Sequence, residues 1–198
     1  MEGLKSHTKL QNLWLRSCDL STKSGPILRD LKNIINLEEL VLSLNSIGDE
    51  GLEGLMEGLT SHTNLRYLVL RSCDLSTKSG PILKDLKNII NLEELVLSGN
   101  PIGDEGLQGL MEGLKSQTKL RFLRLNGCKL STKSGPVLRD LKNIINLEDL
   151  VLNGCRLSKK SGPVLRDLKK RNKLEILKAI GNDPRVEYFL DDSTTILR

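Results

Sequence analysis

Aromatic residues are scarce in this chain, with one Trp, two Tyr and two Phe among 198 residues. Leucine takes their place, and no low-complexity linker or second composition interrupts the sequence, so a single architecture is expected from end to end. Long apolar runs are missing too, as is a positively charged start followed by an apolar stretch ending in small residues. Neither a bilayer-spanning helix nor a signal peptide is therefore expected. No Asn-x-Ser/Thr sequon occurs. Only two histidines are present, His7 and His62, without a nucleophile beside either, and no Gly-rich phosphate loop with its Lys-Ser/Thr appears. Catalysis is not expected, nor is a cofactor or a metal.

What is there is periodic. The cadence Leu-x-x-Leu-x-Leu-x-x-Asn/Cys-x-Leu/Ile returns seven times, as at Leu37, Leu40, Leu42, Asn45 and Ile47. Its first leucines are Leu10, Leu37, Leu65, Leu92, Leu120, Leu147 and Leu174, spaced 27 or 28 residues apart. This is the signature of stacked leucine-rich repeats. A period of 55 lies over it: Arg16 to Ser43 reappears as Arg71 to Ser98 with Arg29 replaced by Lys84 as the only change. The intervening units carry Ile-Gly-Asp-Glu-Gly at Ile47 to Gly51 and at Ile102 to Gly106. A Cys-type and an Asn-type unit thus alternate until Cys155 arrives where an Asn-type unit is due.

Within a unit the apolar spacing is first two, as at Leu95 and Leu97, the period of a strand with one buried face. It then changes to the three-and-four spacing of a helix stripe, at Pro26, Ile27, Leu28, Leu31 and Ile35 in one unit type and at Leu52, Leu55, Met56 and Leu59 in the other. Ser24-Gly25-Pro26 and Asp49-Glu50 are helix-start signals. No such unit buries its own apolar face, so each leans on its neighbours. The expected fold is an α/β leucine-rich repeat solenoid of about seven repeats, a horseshoe with a parallel sheet on the concave face and helices on the convex face. Residues 1–9 read as a partial N-terminal repeat, 10–182 as the repeats and 183–198 as a cap or tail. Met1 to Ser6 matches Met111 to Ser116, the middle of a helix, so a piece of a longer protein, or a gene model begun at an internal methionine, is expected. Arg185 to Asp192 departs from the repeat and reads as a partial cap.

The Asn/Cys position is filled by Cys18, Asn45, Cys73, Asn100, Cys128, Cys155 and Asn182. An amide there satisfies backbone groups left unpaired by the turn, and cysteine is a small buried substitute. Only Cys128 and Cys155 fall on adjacent turns, so buried free thiols and a reducing, cytoplasmic setting are expected. The net charge is +5. Arg156, Lys159, Lys160, Arg166, Lys169, Lys170, Arg171 and Lys173 crowd the last complete unit and read as a solvated outer face rather than a nucleic-acid patch.

Residues between the buried strand leucines point into the concavity and form three columns. Asn12, Glu39, Tyr67, Glu94, Phe122, Asp149 and Ile176 make the first; Trp14, Val41, Val69, Val96, Arg124, Val151 and Lys178 the second; Arg16, Ser43, Arg71, Ser98, Asn126 and Asn153 the third. The second column reads as a contiguous exposed apolar strip flanked by acids and arginines, the composition of a protein-binding face. Its candidate residues are Trp14, Arg16, Glu39, Val41, Tyr67, Val69, Arg71, Glu94, Val96, Phe122, Arg124, Asp149 and Val151. Glu39, Glu94 and Asp149 recur two turns apart, roughly 10 Å, beyond the usual reach of a paired-carboxylate glycosidase.

The alternation of 27 and 28 residues, the Asn/Cys switching and the Ile-Gly-Asp-Glu-Gly-Leu turn resemble the ribonuclease-inhibitor-like leucine-rich repeats, and within them the C-terminal repeat region of NOD-like immune receptors, over Leu4 to Asn182. The resemblance implies a non-enzymatic module that senses a protein ligand or holds a receptor inactive, joined to adjoining domains of a longer parent chain. The nucleotide-binding domain of such receptors has no counterpart in this sequence, so no nucleotide site is carried over. Other repeat regulators share the pattern: ribonuclease inhibitor, although it is acidic and cysteine-rich; activators of the small GTPase Ran, although they end in a long acidic tail; and secreted bacterial effectors.

Overall fold

The computed structural model describes residues 9–171 and 174–186, without the side chain of Arg171. Met1 to Ser6, Lys173 and the part of the expected cap beyond Val186 lie outside them. Seven three-residue strands, β1 (Asn12–Trp14), β2 (Glu39–Val41), β3 (Tyr67–Val69), β4 (Glu94–Val96), β5 (Phe122–Arg124), β6 (Asp149–Val151) and β7 (Ile176–Lys178), form one parallel sheet in chain order. The register pairs each residue with its repeat equivalent, as Asn12 with Glu39 and Leu95 with Leu123. The central leucine of each strand from β1 to β6 is buried while its neighbours face the other way. Strands lie about 4.8 Å apart and packed helices about 8–10 Å apart, so a stack with strands on one side and helices on the other curves with the sheet inside. The fold is the leucine-rich repeat horseshoe.

The Asn positions sew each turn to the one before. Asn100 Oδ1 accepts from the Cys73 and Leu75 amides at 2.8 and 3.1 Å, and its Nδ2 donates to the Leu70 and Leu97 carbonyls at 2.7 and 2.8 Å. Asn45 makes the same four bonds to Cys18, Leu20, Leu15 and Leu42. The cysteines do less: Cys73 Sγ donates to Leu42 O at 3.3 Å and Cys155 Sγ to Leu125 O at 2.8 Å. Cys73, Cys128 and Cys155 are buried free thiols, but Cys18 is exposed. It lies in the turn that follows β1, which pairs with a strand on one side only among the described residues. Burial pushes the Cys73 thiol up to about 12, which removes its nucleophilic character at neutral pH.

The two unit types differ on the convex side. Asn-type units carry twelve-residue helices, α2 (Gly48–Leu59) and α4 (Gly103–Leu114), whose Leu52, Leu55, Met56 and Leu59 stripe is buried as the spacing predicts. Cys-type units instead break into short pieces: α1 (Gly25–Arg29) between 3-10 turns at Thr22–Ser24 and Asp30–Asn33, α3 (Gly80–Leu83), and α5 (Ser134–Leu138). The last unit has α6 (Gly162–Arg171). The single helix stripe expected for Cys-type units therefore fails in the first three of them and holds only in the Cys155 unit, where Val164, Leu165 and Leu168 of α6 are buried. Leu28, Leu31 and Ile34 are buried, whereas Ile27 and Ile35 are exposed. Steps of three residues match a 3-10 turn, in which side chains three apart eclipse, and Ile35 falls off that line.

Glycines let the unlike units approach. A Cβ at Gly109 of α4 would overlap the carbonyl oxygen of Gly80 in α3. The helix start is also clasped to the next turn. Asp104 Oδ1 accepts from the Ser131 amide at 2.9 Å, and its carboxylate also takes the Ser131 and Ser134 hydroxyls. Asp49 holds Ser76 and Ser79 in the same way. Burial opposes ionisation of both aspartates, but the serine hydrogen bonds outweigh it and keep both carboxyls below their ordinary range.

Candidate protein-binding face

All thirteen candidate residues lie on or just beyond the concave strands, yet their exposure is uneven. Trp14 is 68 % exposed, and Arg16 and Arg71 are open to solvent. Val41 and Val69 are half-buried, whereas Val96 and Val151 are each 8 % exposed. The exposed apolar strip is thus interrupted. Val96 and Val151 both stand in register with the long side chain of Arg124, whereas Val41 and Val69 do not. Asp149 is also buried.

Arg124 is occupied. Its guanidinium pairs with Glu94 and, at 3.3 Å, with Asp149, drawing together a carboxylate column that strand spacing alone keeps apart. Asp149 Oδ1 is left buried without a partner. Tyr67 and Phe122 are half-buried, each with a guanidinium over its ring: Arg66 at 5.5 Å and Arg121 at 5.0 Å. Those arginines are themselves held by two bonds apiece, Arg66 to Glu93 at 2.8 and 3.1 Å and Arg121 to Glu148 at 3.0 and 2.7 Å. This rim was not among the candidates, although Glu38, Arg66, Glu93, Arg121 and Glu148 share one repeat position and alternate in sign.

A groove of about 450 Å³ lies across the first strands, lined by Arg16, Val41, Ser43, Leu44, Val69, Arg71, Glu94, Val96 and Arg124. Leu44 was also missed. It is 44 % exposed and holds φ at 61°, a region costly for a branched side chain, where the equivalent Asn-type unit has Gly99 at 78°. The copied motif reads Ser43-Leu44-Asn45 against Ser98-Gly99-Asn100, so the departure was visible in the sequence.

Comparison with known proteins agrees with this geometry. The family model described as Leucine Rich repeat matches residues 33–56 and 88–111, the stretches that carry β2 with α2 and β4 with α4. Mouse "NACHT, LRR and PYD domains-containing protein 12" is 41 % identical over 141 residues, covering 67 % of this chain and 13 % of that protein. "Ribonuclease inhibitor" from Sus scrofa is 39 % identical over 102 residues, covering 50 % of this chain and 22 % of that protein. The chain is a leucine-rich repeat solenoid related to both groups. It spans 12 % of "NACHT, LRR and PYD domains-containing protein 3" from Bos taurus, at 36 % identity, so it corresponds to a small part of the larger relatives. As a leucine-rich repeat solenoid it is a non-enzymatic protein–protein interaction module. Among the described residues, no helix is long and apolar enough to cross a membrane and no group of three or more His, Cys, Asp or Glu is placed to hold a metal ion.

Proposed function

We propose that this solenoid is the ligand-sensing or autoinhibitory repeat region of an intracellular NOD-like receptor, acting in the cytoplasm through its concave face. Residues 10–182 form the repeat module on this reading, with 1–9 a partial repeat and 183–198 a cap or tail, and adjoining domains of a longer chain are its first candidate partners. The observation that carries the reading is the groove across β1 to β5, where open arginines and Trp14 flank a valine floor. Aromatic and arginine side chains around an apolar centre are what protein interfaces use. The relationship to NACHT, LRR and PYD domains-containing proteins supports the receptor assignment over part of the chain.

The test is an affinity capture from cytosolic extract, comparing the chain with a Trp14→Ser/Val69→Ser double variant and identifying retained proteins by mass spectrometry. A protein lost from the variant, and belonging to the same receptor chain or its ligands, is the expected result. Equal recovery by both removes the concave face as the binding site. The similarity to ribonuclease inhibitor supports a second reading, a free-standing inhibitor of ribonuclease. Stoichiometric inhibition of ribonuclease A by the chain would establish it in place of the first.

A further inference from the structure

The concave groove offers positive charge that nothing in the described structure neutralises. Three arginines and one glutamate line it. Arg124 is committed to Glu94 and Asp149, and the rim arginines Arg66 and Arg121 are committed to Glu93 and Glu148. Arg16 and Arg71 differ: both are exposed, and neither makes an ion pair among the described residues. They leave β1 and β3 on either side of the Ser43-Leu44 turn, with the Leu44 amide bonded to the Arg71 carbonyl at 2.8 Å. Leu44 is the second distinctive feature: every turn holds positive φ at this position, at Ser17, Ser72, Gly99, Gly127, Gly154 and Gly181, but only here is the residue a large aliphatic one, turned to solvent between two open cations. The turn fixes the backbone there, so an exposed leucine where Gly or Ser stands in the other turns adds apolar surface that its own turn does not need.

We propose that this groove receives an extended acidic peptide segment whose carboxylates engage Arg16 and Arg71 while an intervening aliphatic side chain packs on Leu44, Val41 and Val69. The inference rests on the reading of the concave face as a protein-binding site and names the chemistry of what it binds. Strands β1 and β3 stand two spacings apart, about 10 Å, a gap that carboxylates four residues apart on an extended chain of about 3.3 Å per residue span with the reach of arginine, and the residue midway between them then faces the groove as they do. A peptide fits better than a nucleic acid because the floor is aliphatic. Among the described residues, Tyr67 and Phe122 lie outside the groove lining and beneath Arg66 and Arg121, and Trp14 at the groove's edge is the one widely exposed ring, where a single-strand track stacks successive bases on several.

The probe is a fluorescein-labelled peptide repeating Glu-Ser-Leu-Ser (the Glu/Leu peptide), which puts Glu and Leu on one face of an extended chain, with Gln-Ser-Leu-Ser (Gln/Leu) and Glu-Ser-Ser-Ser (Glu/Ser) versions as controls, titrated by fluorescence polarisation. The single Trp, in register with Val41 at the groove's edge, supplies an independent emission readout. The Glu/Leu peptide is expected to bind, to weaken as salt screens the exposed arginines, and to bind the folded Arg16→Gln/Arg71→Gln variant about ten-fold or more weakly. Leu44→Gly should also weaken binding without lowering the melting temperature. Equal affinity of the Gln/Leu peptide, or unchanged affinity in the double arginine variant, would overturn the proposal. Loss of binding only in Lys159→Gln/Lys160→Gln would place the acidic ligand at the basic C-terminal end and overturn it too. If the Glu/Leu peptide does not bind but a cytosolic protein is still lost from Trp14→Ser/Val69→Ser, the acidic ligand is wrong and the concave reading stands; if neither occurs, both fall.

Discussion

The junction between the fourth and fifth repeats and the junction between the fifth and sixth differ by one carboxylate. At the first, Asp104 takes the Ser131 amide and both the Ser131 and Ser134 hydroxyls, so that a buried hydroxyl and a helix start satisfy each other across 27 residues or more. At the second, Ser158 and Ser161 occupy the same motif, but Thr132 stands in the place of Asp104, and Ser161 Oγ is buried with no partner. Two Cys-type units follow one another there, and among the described residues the clasp occurs only where an Asn-type turn precedes a Cys-type turn. Helix packing differs with the type of the following unit too, since a Cβ at Gly80 would come within 2.7 Å of the Glu105 carbonyl oxygen in an Asn-type turn, whereas one at the equivalent Gly135 would meet Ser161 of a Cys-type turn at an ordinary 3.5 Å. The paired unit is thus the real module, and a stack of nearest-neighbour interfaces should be least stable where the pairing stops.

Core truncation breaks this contrast most strongly. Leu95→Ala, at a fully buried site in a paired module, should lose about 2–5 kcal/mol through the cavity it leaves. Leu177→Ala in the last strand, where the leucine is only partly buried, should lose at most about half as much; equal losses in chemical denaturation would mean uniform stability along the stack. The serines sharpen the comparison further, because Ser134 and Ser161 are both fully buried and occupy one repeat position. Ser134→Ala should cost about 1–2 kcal/mol by taking a donor from Asp104. Ser161→Ala removes a hydroxyl that has no partner and should lie within about 0.5 kcal/mol of the parent or above it. A matching loss at both positions would show that Asp104 contributes nothing.

Repeat boundaries, strand faces and the parallel order were legible because one leucine position determines them all, and each strand leucine buries against its own copy. The broken helices of the first three Cys-type units were not, since Leu28, Leu31 and Ile34 fit a 3-10 turn and a short helix equally well until Ile35 is placed. Membership of the concave columns was readable from alternation. How much each side chain remains available was not, because Arg124 could be known to be paired only after Glu94 and Asp149 were placed beside it. The Asp104 clasp joins different unit types and has no signature within either one.

Acid titration separates the clasp from the stitching on the opposite edge of the repeat. Asp104 has a depressed carboxyl, so it stays ionised in the folded chain at pH values where the unfolded chain has begun to bind a proton. Its contribution is present above the unfolded carboxylate value of about 4 and is lost as pH falls through the folded one. Asp104→Asn should cost about 1–2 kcal/mol at neutral pH and flatten the acid limb of stability against pH. An unchanged acid limb would show that the clasp does not titrate.

A smaller effect is expected at His62, which is fully buried and places Nε2 3.0 Å from the Ile34 carbonyl, with Nδ1 left unpartnered. Burial pulls its pKa below the ordinary 6.5, against the raising influence of the Ile34, Leu59 and Leu31 backbone. The unfolded chain then takes up a proton near 6.5 that the folded chain refuses, so stability is full above that value and falls as pH drops toward the folded pKa. The protein already contains the replacement. Gln117, one paired module later, donates from Nε2 to the Leu86 and Ile89 carbonyls at 2.8 and 3.1 Å and likewise leaves its other polar atom, Oε1, unpartnered. His62→Gln should therefore keep the stitch to the preceding turn and hold stability nearly level between about pH 7.5 and about pH 5.5, where the parent declines. Denaturation midpoints across that range decide it: a decline of the same size in His62→Gln would mean that the proton is bound elsewhere.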